Sequence, residues 1–225
     1  MNDNTKIAGS KNIGQWRVLR QKLIDDPANN ENWEEAFNDF LLARINARYF
    51  DPIEAITKIK AKEGKGFSIV AIYSSLIEFF ETLKKGYDFQ QPHYLDKTGN
   101  MVRSLVNLDP IGVGQPLSNR EVFVNFLSEN LPFNAVFSVM LAESFYFNVR
   151  CSILHQAETH SNWFIKEGNA SDAILQINID ETILRWKPLK EAFGNYLNVT
   201  YKNTLLADKL TKTNFIFKWD KICEI

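Results

Sequence analysis

The stretch Phe145-Tyr-Phe-Asn-Val-Arg-Cys-Ser-Ile-Leu-His-Gln-Ala-Glu158 decides how the chain is read. Upstream of it, from Pro132 to Val149, the only formal charge is Glu143. Phe133, Val136, Phe137, Met140, Leu141, Phe145, Phe147 and Val149 leave little of that segment polar, so the pattern predicts a long, largely buried helix over about 133–159. Arg150 stands inside it. A buried guanidinium is tolerated only when paired, so Arg150 needs an internal carboxylate, a second chain or a bound anion. Five residues on, His155 carries the one side chain whose unperturbed pKa lets it give and take protons near neutral pH.

Regular helical geometry places Arg150 and His155 about 140° apart, on two polar lines. Glu143, Tyr146 and Arg150 lie on one; Ser144, Asn148, His155 and Thr159 lie on the other. Residue physics alone reads the first as a Glu143–Arg150 contact inside a bundle and the second as a solvated edge with an incidental histidine. A helix end near His155, or a two-fold copy of the helix, brings the two groups together as an isolated helix cannot.

The spacing Arg150-x4-His155, within Val-Arg-Cys-Ser-Ile-Leu-His-Gln-Ala-Glu, resembles the Arg-x4–6-His signature of HEPN domains. The segments 47–53 and 66–81 have a similar look. The resemblance implies a HEPN-like helical bundle acting as a metal-independent endoribonuclease. It further implies a homodimer, with Arg150 and His155 of both subunits meeting in a cleft at the interface. Glu143, Tyr146, Asn148, Cys151 and Gln156 are then the supporting neighbours. A toxin or phage-defence role, with a protein inhibitor or defence-complex partner, follows from the same likeness, as does an alternative: an inactive interaction or assembly module. One departure stands out. In many active members the residue after the arginine is polar, often Asn, Asp or His, whereas here Cys151 cannot supply equivalent hydrogen bonds.

The chemistry implied is that of RNA itself. His155 would serve as general acid/base toward the 2′-hydroxyl, and Arg150 would stabilise the crowded phosphorane through its planar donor fork. Products would carry a 2′,3′-cyclic phosphate, and DNA would be spared for want of the nucleophile.

Composition frames these expectations. The 225 residues are 45% hydrophobic and 24% charged, the make-up of a globular protein with room for a sizeable core. Seventeen Phe and five Trp predict an aromatic core. Against 27 Asp+Glu stand 26 Lys+Arg, so the net charge of −1 supplies no global field for nucleic acid, and any RNA contact must be a local patch. Two cysteines, Cys151 and Cys223, argue against a disulfide framework or a cysteine metal site, and no metal or cofactor is expected. With neither an apolar leader nor an uninterrupted apolar span, the chain reads as cytoplasmic and not membrane-spanning.

The fold class expected is mainly α: a flexible terminus over 1–14, a helical bundle over 15–160, and over 161–225 a small β-hairpin with a C-terminal helix packed on the bundle. Within this, helices are predicted near 30–48, from Asp51-Pro52, over 67–85, and from a Ser118-x-x-Glu121 capping box. Glu78 and Glu81 fall on what reads as a polar stripe of the third. A long irregular stretch spans 87–117, holding His93 and Gly112-Val-Gly114. Around Gly168, segments 163–165 and 173–179 read as a hairpin, followed by a helix from about 181. A C2 homodimer centred on the helix of 133–159 is expected, since its apolar surface exceeds what one neighbouring layer can cover.

Overall fold

The computed structural model describes residues 2–60, 64–87, 104–106 and 116–225, and it is mainly α with small β elements. His93 and Gly112-Val-Gly114 lie outside the described residues, as does most of the 87–117 stretch.

A hairpin, β1 (Lys6–Ala8) against β2 (Lys11–Asn12), leads directly into α1 (Ile13–Asp25). The expectation of a flexible terminus over 1–14 is corrected. Ile7 and Ala8 are buried, and the Ile7 carbonyl accepts from Arg44 Nη1 at 2.6 Å. Asn12 and Gln15 form a capping box, each side chain accepting from the other's amide at 2.9 and 3.0 Å, which fixes where α1 starts.

Residues 30–57 make one rod, α2, in which π-turns Ala36–Leu42 and Asn46–Phe50 alternate with α-helical turns. Asp51-Pro52 does not open a separate helix as predicted. The wider π-turn just before Pro52 absorbs the missing N–H and the bulk of the ring.

The central helix α3 (Lys65–Lys85) is long and apolar enough to cross a membrane by length and composition, yet Ile69, Val70, Tyr73, Leu76, Ile77, Phe80 and Leu83 are buried inside the protein. It ends where Gly86 takes a left-handed φ of 71°. After the antiparallel pair β3 (Ser104–Val106) and β4 (Pro116–Ser118), the Ser118–Glu121 capping box opens α4 (Asn119–Glu129) as expected.

The next helix, α5, spans 139–156 and starts later than Pro132: Phe133–Ala135 is a short 3-10 turn, and Ser138 caps the helix through the Leu141 amide. The 163–185 region is a three-stranded sheet and not the expected hairpin. Strand β5 (Trp163–Lys166) pairs in parallel with β7 (Thr182–Arg185), and β6 (Leu175–Ile177) pairs antiparallel on the other side of β7. Thr182-Ile-Leu-Arg185, read as the start of a helix, is therefore the middle strand. Helix α6 begins only at Trp186 and runs over 186–207, with a π-turn at Tyr196–Tyr201 just after Gly194-Asn195. The last helix is α7 (Lys209–Cys223); it docks Phe215, Trp219 and Cys223 at successive turns.

Two aromatic groups anchor the core. Trp16, Phe40, Phe215 and Trp219 tie α1, α2 and α7, with Trp16 and Trp219 centroids 5.5 Å apart. Phe80, Phe126, Phe133, Phe193 and Tyr196 tie α3 and α4 to α6.

Candidate functional site

Arg150 lies in a π-turn, Tyr146–Cys151, set within α5. π-turns redirect side chains off the α-helical register and are frequent at functional sites. From there its Nη2 donates to Glu78 Oε1 on α3 at 2.7 Å, in a pair whose side chains are 17% and 23% exposed. The guanidinium also sits over the Tyr146 ring, 5.3 Å from its centroid, and Nη1 lies 3.9 Å from Cys151 Sγ. A guanidinium has five N–H donors and Glu78 takes one, so Arg150 is held in place with donors to spare.

Burial opposes the Arg150 charge, but Glu78, Tyr146 and Cys151 together outweigh it and raise its pKa. For Glu78, burial pushes the carboxyl above its ordinary range, with Arg150 pulling against that through charge and hydrogen bond. Burial likewise raises the Tyr146 hydroxyl. Arg150 is a fixed cation, held between a carboxyl and a phenol that burial pushes toward their neutral forms.

The supporting residues divide. Glu143 is not the partner of Arg150; it pairs with Arg120 of α4 at 3.3 Å, both ends well exposed. Arg150 takes the carboxylate of the neighbouring helix because its side chain crosses the α3–α5 seam, whereas Glu143 faces α4. Tyr146 and Cys151 join the Arg150 cluster. Asn148 belongs to the local fold, donating to Ser144 Oγ at 3.1 Å while its carbonyl accepts the His160 amide at 2.9 Å. Gln156 is exposed in the last turn.

His155 occupies that same last turn. Its imidazole is exposed and has no hydrogen-bond or ion-pair partner among the described residues. Within one chain, Arg150 is turned inward to α3 and His155 outward to solvent, so a single copy does not assemble them. Past the helix end, a cavity of about 590 Å³ opens between Glu158-Thr159, the Gly64–Phe67 turn and strand β5, with Lys65 and Lys166 on its walls. No cluster of three or more His, Cys, Asp or Glu suited to a metal ion occurs among the described residues.

Large apolar side chains of α5 are left to water: Met140, Phe147 and Leu154 are 76%, 51% and 54% exposed, and Val139 at the helix start is 58% exposed. Met140, Phe147 and Leu154 recur every seventh residue, with the Tyr146–Cys151 π-turn shifting Leu154 off the strict α-helical register. From the sequence, Met140 and Phe147 fall in a largely buried helix whose apolar surface exceeds one neighbouring layer, and Glu78 falls on a polar stripe. The need of a buried arginine for an acid is the signal that points beyond its own helix.

Searches of the chain against protein-family models, curated proteins and solved structures find no match.

Proposed function

We propose that the protein is a homodimeric, metal-independent endoribonuclease whose site is built around Arg150 and His155 on the α5 helices of two copies. The observation that carries this reading is the exposure of Met140, Phe147 and Leu154 on the helix that bears both residues. Phe147 lies midway between the other two in sequence, so an antiparallel copy of α5 on a two-fold axis near Phe147 would bring the apolar residues of one end against those of the other, the self-complementary pattern a C2 interface requires. The exposed His155 next to Leu154 would then enter the interface instead of remaining in water.

In that cleft His155 is the general base for the 2′-hydroxyl and then the acid for the leaving oxygen. Arg150, oriented by Glu78 and the Tyr146 ring, meets the charge that develops on the phosphate. The substrate is single-stranded RNA.

The test is cleavage of a labelled RNA panel, with DNA as control, in the presence of chelator. Wild type should cleave RNA alone, and His155→Ala should lose about 10²–10⁴-fold of rate. An inert wild type would transfer the reading to an inactive assembly module, and a His155→Ala variant as active as a cleaving wild type would remove His155 from the chemistry and overturn the proposed site. The Glu78–Arg150 pair favours that second reading, since it already satisfies the arginine without a substrate.

A further inference from the structure

We infer that the groove between α1, the start of α2 and the start of α7 is a binding site for a medium-chain carboxylate, an anion with a straight apolar tail. The groove holds about 620 Å³, within the range of small-molecule sites, and its floor is Leu23, Trp33 and Ile216. Exposed Ala28 and Ala207 form the walls, small enough to leave the space open. Its charge is of one sign. Lys209 and Lys212 line it and no acidic residue does.

Both lysines sit at the start of α7, whose cap is the Asp208 carboxylate, and both reach the groove while Asp208 does not line it. Lys212 is posed over the opening: its Nζ donates to the Pro27 carbonyl at 3.0 Å and lies 5.1 Å from the Trp33 ring centroid. An ammonium has three donors, so Lys212 keeps capacity for a carboxylate. The Lys209 ammonium has no partner among the described residues. Nearby acids are otherwise engaged or outside the lining. Asp208 caps α7 through the Thr211 amide and hydroxyl, Asp25 accepts from Gln21, and Asp26 does not line the groove. The indole N–H of Trp33 is taken up by the Pro27 carbonyl at 3.0 Å, so the floor offers a tail apolar surface with no competing polar demand.

No residue lining the groove belongs to α5, which carries Arg150, and the test of the groove does not depend on ribonuclease activity. Titration calorimetry with decanoate against the full chain should give saturable binding near one per chain, and 1-decanol should bind at least tenfold more weakly. Lys209→Glu/Lys212→Glu should lower decanoate affinity tenfold or more. Ala207→Phe, at an exposed helix end, should fill the groove and abolish binding while leaving the thermal melt close to wild type. Absence of saturable binding, equal affinity for decanol, or undiminished binding by a folded Ala207→Phe variant would overturn the assignment.

Discussion

Glu78 and Glu81 occupy the same helix less than one turn apart, yet they sit in opposite electrostatic settings. Glu78 faces the α3–α5 seam, where Arg150 meets it at 2.7 Å and part of the pair still touches water. Glu81 is fully buried; Asn130 donates to one oxygen at 3.3 Å, and the other has no partner among the described residues. The cations of its own helix turn elsewhere: Lys84 to Asn130 Oδ1 at 2.6 Å and Lys85 to Glu129 at 3.2 Å, while Tyr196 of α6 adds a buried hydroxyl that likewise has none among them. Burial therefore pushes the Glu81 carboxyl up to about 7, the lysines only partly opposing it. Where a neighbouring helix supplies a cation, a half-buried acid becomes half of an ion pair; where it does not, the acid drifts toward neutrality.

Removing the cation should break the contrast most severely. Arg150→Ala leaves Glu78 half-buried beside no partner and, on the proposed chemistry, removes the charge that meets the phosphorane. RNA cleavage should fall by about 10²–10³-fold and the melting temperature should drop. Initial rates within twofold of wild type would sever Arg150 from the chemistry.

Glu81→Gln should act with the opposite sign on stability, and only above a defined pH. The folded carboxyl titrates at about 7 and its ordinary value is 4.5, so at pH 4 both folded and unfolded chains hold the proton and the site is neutral in its effect. Between those two values the unfolded chain ionises first, so wild-type stability falls as pH rises and levels off above 7. The glutamine variant escapes this loss and should gain up to roughly 3 kcal/mol at pH 8. Urea unfolding at pH 4 and pH 8 reads it; an equal gain at both values would mean that packing, not ionisation, is responsible.

Glu78→Gln sharpens the comparison at lower amplitude. The amide oxygen can still accept from Arg150, so the cost should stay near about 1 kcal/mol, and the rate should suffer far less than in Arg150→Ala. A loss as large as that of the arginine variant would make Glu78 a direct participant.

The same two carboxylates show what the sequence discloses. The apolar spacing and the Ser118–Glu121 box place α3 and α4, and the need of Arg150 for an acid is legible. Which acid is not, because Glu143 is near in sequence while Glu78 is brought near only by the α3–α5 packing. Glu81 had a local signal, since it follows Ile77 by four residues and so shares the core stripe of Val70, Ser74 and Ile77. The Asn12–Gln15 box ahead of Ile13, Trp16, Leu19 and Leu23 likewise announces α1 to a closer reading. The parallel β5–β7 ladder could not be read locally: a crossover partner leaves no trace in alternation, so Thr182–Arg185 passes for a helix start. Nor does hydrophobicity distinguish Phe147 from Phe145. One is half exposed and the other buried because the neighbouring helices cover only one side of α5.

That uncovered side is where the account is most directly tested, by measuring RNA cleavage per chain in chelator as a function of chain concentration, for wild type and Phe147→Asp. If two copies build the site, wild-type activity per chain should rise with concentration as dimers form, while the aspartate variant, monomeric by light scattering, should stay near background. Activity per chain that is independent of concentration, or a monomeric Phe147→Asp that cleaves as well as wild type, would contradict it.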